Sequence, residues 1–129
     1  MGFLFESQEQ LNESLAIWQK ELRLQDWEIE AAVKPSYKMF TVGSQASIEW
    51  SLNEKTAMIH LLDPEEYPPG TVREQDHEVS LVHELIHLHY APFEDTANQS
   101  LEHSMMELSI DVLSNTLVRL RRQGVAVHE

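Results

Sequence analysis

The run His83-Glu84-Leu85-Ile86-His87 constrains this chain more than any other stretch. Val79, Val82, Leu85, Ile86 and Leu88 recur around it at helical spacing, so the run sits on an amphipathic helix. Successive helical residues turn by about 100°, which puts His87 one turn beyond His83 on the same face. Two imidazoles so placed can reach one metal ion, with Glu84 at the side of the site. Neutral imidazole is a good zinc ligand. Two of them leave room for a third ligand and a water, whose proton a nearby carboxylate can take. Seven histidines in the chain make chance pairs at i, i+4 easy to find, and a solvated helix face would also accommodate such a pair. The weight of the motif therefore rests on its surroundings.

Those surroundings supply a third ligand. Glu107 lies 20 residues beyond His87 on a second helical stretch, and Asp111 follows at i+4 on the same face. Glu107 completes a two-His, one-Glu set, and Asp111 can accept the free ring N–H of a ligand histidine and so fix its tautomer. Glu102, 15 residues beyond His87, is the weaker choice because Met106 stands where the following acid would be. His103, Glu107 and Asp111 make a polar stripe, and Leu101, Met105, Leu108, Val112 and Leu113 are expected to form the helix's buried apolar surface. A polar stripe on such a helix points at something polar inside. His103 has three readings: a replacement ligand for Glu107, a donor to an oxyanion, or a solvating residue.

With His83-Glu84-Leu85-Ile86-His87 followed by Glu107-Leu108-Ser109-Ile110-Asp111, the C-terminal half resembles the gluzincin metallopeptidases. The chain is far shorter than the large gluzincins and is more similar to minimal single-domain zincins and to small metallopeptidase-like proteins of phage and bacterial genomes. The resemblance implies zinc held by His83, His87 and Glu107, with Glu84 as general base in peptide-bond hydrolysis. It implies a peptide or protein substrate. It also implies an oxyanion-stabilising Tyr or His, for which His103, Tyr90, His89 and Tyr67 are all candidates. In zincins the strand before the metal helix borders the cleft and pairs with extended substrate; by that resemblance Thr56 to Leu62 is the expected edge strand.

The chain has 129 residues, 42% of them hydrophobic, which suits one domain with a single modest core. It contains no cysteine, so a metal site must use His and carboxylate. Nine basic residues against 22 acidic give a net charge of −13, which argues against nucleic acid as partner and suits an acidic, solvated surface. Met1 to Phe5 is too short for a signal sequence and no apolar run reaches membrane-spanning length, so no membrane association and a cytoplasmic location are the expectation. The oligomeric state stays open.

The remaining elements follow from periodicity and breakers. Residues 7–25 read as a helix on Leu11, Leu15, Trp18 and Leu22. Trp27 to Val33 reads as a strand ending before Pro35, and Ser36 to Ser44 as a loop. Ala46 to Leu52 and Thr56 to Leu62 form a hairpin around Asn53-Glu54-Lys55; His60 on the second strand is expected to be solvent-facing or structurally bonded. Asp63 to Gly70 is proline-rich loop. Thr71 to Glu74 is a capping box that starts the metal helix near Val72, and Pro92 ends it after Tyr90. Asp95 or Thr96 caps a last helix running to about Arg122, before Gly124. The expected fold is α+β and zincin-like: an N-terminal helix, a small mostly antiparallel sheet, then the metal-site helix and a C-terminal helix. The alternative is a metal-stabilised binding or regulatory module with little or no turnover. A purely structural zinc is disfavoured, since such sites usually have four protein ligands.

Overall fold

The computed structural model describes residues 3–40, 43–94 and 101–128. In chain order the elements are helix α1 (Gln8–Glu21), strands β1 (Glu28–Lys34), β2 (Ala46–Ser51) and β3 (Thr56–Leu62), and helices α2 (His77–Glu94) and α3 (Leu101–His128). The chain is thus α+β, as its residue patterns imply.

Ser7 caps α1, its side chain accepting the Gln10 N–H at 3.1 Å. Leu11, Leu15 and Trp18 are its buried stripe. The helix closes with Leu24 N–H donating to Gln19 O and Arg23 N–H to Lys20 O, a pairing that requires the left-handed backbone found at Arg23 (φ 59°). The chain then turns straight into β1.

The sheet order is β1-β3-β2, with β3 antiparallel to β2 and parallel to β1. The sheet is therefore mixed, not mostly antiparallel. The hairpin returns β3 beside β2, with Lys55 in left-handed backbone (φ 55°). β3 then inserts between β2 and β1, which forces the parallel pairing. The central position explains why Ala57, Ile59, Leu61 and Leu62 are all buried, and it corrects the expectation that Thr56 to Leu62 is the edge. The strand that borders the cleft is β2. Ala57, Ile59 and Leu61 join Ala31 and the residues of α1 and α2 in one core, against which Ile29, Val33, Ile48 and Trp50 pack. His60, on the other face, stacks on Phe40 at 4.2 Å and bonds Lys38 O through Nδ1, so it is structural.

Helix α2 starts later than the Thr71-Val72-Arg73-Glu74 pattern suggests. Thr71 Oγ1 donates to Pro68 O instead of capping, and Asp76 takes over, accepting from Val79 N–H at 3.1 Å through its carboxylate. Arg122 of α3 holds that carboxylate with two bonds of 3.0 and 3.1 Å and also pairs with Glu78. Next to the cap, the fully buried His77 accepts Phe5 N–H on Nδ1 and donates to Leu62 O from Nε2. The helix then carries nine buried residues and continues through Pro92 to Glu94. Pro92 thus does not end it. That extra turn matters for the site.

Helix α3 packs on α2 through Ile110, Ser114 and Val118, which are buried, with Met106 and Leu117 half-buried. Leu101, Met105, Leu108 and Val112, expected in the core, are 60–68% exposed, and Leu113 is exposed as well. A single neighbouring helix covers only one narrow face, and the face it covers is the one bearing the polar stripe. The helix also passes through Gly124 to His128 instead of ending before it. The expected cap at Asp95 or Thr96 lies outside the described residues. Among the described residues no helix is long and apolar enough to cross a membrane.

Candidate metal centre

The helical turn between His83 and His87 brings their rings to 5.2 Å on one face of α2. Glu107, from the facing side of α3, reaches both. Its Oε2 lies 3.2 Å from His83 Nε2 and its Oε1 lies 2.7 Å from His87 Nε2. One ligand atom from each of the three residues fits within 4.8 Å of the others. Ligands held about 2.0–2.1 Å from a tetrahedral zinc stand about 3.3 Å apart. The three residues thus stand close enough together to hold a metal ion, and their nitrogen and carboxylate donors are ones that divalent ions accept.

The other ring nitrogens are also occupied. His87 Nδ1 donates to Glu94 Oε2 at 2.8 Å, both side chains being almost wholly buried. His83 Nδ1 faces Asp111 Oδ1 at 3.9 Å, an ion-pair distance longer than a hydrogen bond, and Arg73 stands 3.5 Å from the other Asp111 oxygen. Carboxylates behind ligand histidines hold the rings in orientation and favour one tautomer. Asp111 has that place, and Glu94 makes the tighter contact. Sequence reasoning passed over Glu94, because it assigned the helix end to Tyr90. Two turns beyond His87 on a continuous helix, Glu94 shares its face.

Electrostatics bind the cluster together. Burial pushes the Glu84 carboxyl up to about 7 from an ordinary 4.5, against the pull of His87 and His83. Burial alone would lower His87, but hydrogen bonds to Glu107 and Glu94 outweigh it and hold the ring at about 10. Glu107 falls well below the usual carboxylate range because it accepts from His83 and His87. Without an ion, then, His87 is an imidazolium clamped between two carboxylates. A metal ion held by these residues would take over the charge that the Nε2 proton supplies.

These groups open on a cleft of about 900 Å³ walled by β2, α2 and α3. Glu84, His83, His87, Glu94, His103, Glu107 and Asp111 line it on the helix side, and Ala46 to Ile48 with Trp50 on the strand side. Of the four oxyanion candidates, only His103 lines this cleft. Tyr90 packs half-buried against the apolar core. His89 bonds Leu22 O from the surface, and Tyr67 donates to Arg73 O. Glu102 is exposed and outside the lining residues. Compared with protein-family models, curated proteins and solved structures, the chain matches none.

Proposed function

We propose that this chain is a small zinc-dependent peptide hydrolase of gluzincin type. One observation carries the reading: the nitrogens of His83 and His87 and the carboxylate of Glu107 converge on one point of a cleft, beside the buried carboxyl of Glu84. When bound there, zinc supplies Lewis acidity that polarises a peptide carbonyl and acidifies a water. Glu84, poised near neutrality, accepts the proton of the attacking water on its carboxylate and returns it to the departing amine. Glu94 and Asp111 keep the two rings turned so that Nε2 faces the cleft. The sheet edge at β2 offers its backbone N–H and C=O groups to an extended peptide. Of the four oxyanion candidates, His103 is the one that lines the cleft.

The test is peptide-library hydrolysis by the zinc-loaded protein and its Glu84→Gln variant. Loss of at least a hundredfold in rate, with zinc retained, is expected; equal rates in the two proteins would refute the role of Glu84. A second reading has its own support. The exposed row Leu101, Met105, Leu108 and Val112 on α3 suits protein binding, so the site could serve a binding module with little turnover. In that case Glu84→Gln would leave biological function unchanged.

A further inference from the structure

Glu107 belongs to two clusters. Besides His83 and His87, it meets Glu94 and His103, and again one ligand atom from each of the three residues lies within 4.8 Å of the others. The three residues come from the two helices that frame the first set, with the Glu94 side chain almost wholly buried and Glu107 partly exposed. Glu94 stands in the last turn of α2. His103 and Glu107 stand one turn apart on α3, so both side chains face the same way. We propose that Glu94, His103 and Glu107 form a second divalent-cation site, which shares Glu107 with the first and fills after it.

Three observations support this. A carboxylate has two oxygens; those of Glu107 lie beside His87 (Oε1) and His83 (Oε2), and one of them suffices to hold an ion with the two rings, which leaves the other for a second ion. Carboxylates of that kind bridge the paired ions of two-metal sites, which stand about 3.5–4 Å apart. Glu94 uses Oε2 for His87, and a carboxylate retains acceptor capacity on its second oxygen. Finally, Glu84, Glu94, Glu107 and Asp111 line the cleft around the site, where Arg73, paired with Asp111, is the one Lys or Arg among the described lining residues; Asp76 is already matched by Arg122. One dication offsets only part of that charge. The second ion binds more weakly for two reasons: Glu94 must continue to serve His87, and the first ion repels it. Two carboxylates and one imidazole suit zinc or manganese over softer ions.

The proposal rests on the same Glu107 as the catalytic reading, but zinc titration separates the two. Zinc is added to the metal-free protein under chelator competition, and bound metal is counted by elemental analysis. The wild type should take up two equivalents, the second at least tenfold more weakly. His103→Ala and Glu94→Gln should each keep the tight equivalent and lose the weak one; the amide oxygen of Gln can still accept from His87 Nδ1. His83→Ala should lose the tight equivalent and keep the weak one. Circular dichroism checks that each variant is folded. Cobalt(II) at two equivalents should give an exchange-coupled paramagnetic resonance spectrum in the wild type alone. Saturation of the wild type at one equivalent overturns this proposal and leaves the catalytic site standing, whereas no zinc at all overturns both. A second equivalent that persists in His103→Ala and Glu94→Gln is adventitious binding to an acidic surface, and it too overturns the proposal.

Discussion

Glu84 must ionise in a buried place in the metal-free protein, and replacing it by Gln should relieve that burden by a measurable amount. The carboxyl is only 7% exposed, and burial raises its pKa from 4.5 to about 7. The folded state therefore holds the proton more tightly than the unfolded chain. Its contribution to stability is fully present below about pH 4.5 and is lost as pH rises through 7. At about 1.4 kcal/mol per tenfold change in proton affinity, the loss approaches about 3 kcal/mol above pH 7. Gln has nearly the same shape and no charge to bury. In urea unfolding with a chelator present, Glu84→Gln should match the wild type near pH 4.5. It should become more stable by about 2–3 kcal/mol at pH 8. A gain that is constant with pH, or absent at pH 8, would refute the placement of Glu84 as a buried, ionising group.

Other consequences concern the rest of the cluster and the packing of α3. Glu94→Ala removes the acceptor behind His87 and should weaken zinc binding about 10- to 100-fold in chelator competition; undiminished affinity would remove Glu94 from the site. Because His87 holds a proton up to about pH 10, zinc must displace it at pH 8. Calorimetry in buffers of different ionisation enthalpy should register about one proton released, with affinity rising as pH approaches 10; uptake without proton release would count against His87 as a ligand. Ile110→Ala, at a fully buried position, should cost about 2–4 kcal/mol. Leu108→Ala, at a position 68% exposed, should stay within about 0.5 kcal/mol. Reversed effects in denaturant unfolding would mean that α3 presents its other face to the core.

Local patterns were legible wherever neighbouring residues decide the outcome. The Leu11, Leu15 and Trp18 stripe marks α1, and the alternation from Thr56 to Leu62 matches β3 to the residue. His83, His87, Glu107 and Asp111 are brought together as their helical spacing implies. Long-range competition hid the rest. Thr71 to Glu74 satisfies a capping pattern, but Asp76 wins because Arg122, far along the chain, holds its carboxylate in place. Parallel pairing of β1 with β3 depends on where the hairpin inserts, which no strand pattern encodes. Glu94 stayed hidden behind Pro92, a residue tolerated here in the final turn. The polar stripe on α3 does face inward, but for a different reason from the one expected. Leu101, Met105, Leu108 and Val112, expected to be buried around it, form the outer face, while Ile110 and Val118 beside it are the buried apolar contacts.

The most direct measurement is the zinc content of the purified protein after exhaustive dialysis against a weak chelator, beside that of Glu107→Ala. One tightly held equivalent in the wild type, lost in the variant, is the result expected if His83, His87 and Glu107 hold a catalytic ion. A wild type that retains no zinc, or a Glu107→Ala protein that retains it equally well, would contradict the metal centre and the hydrolysis built on it.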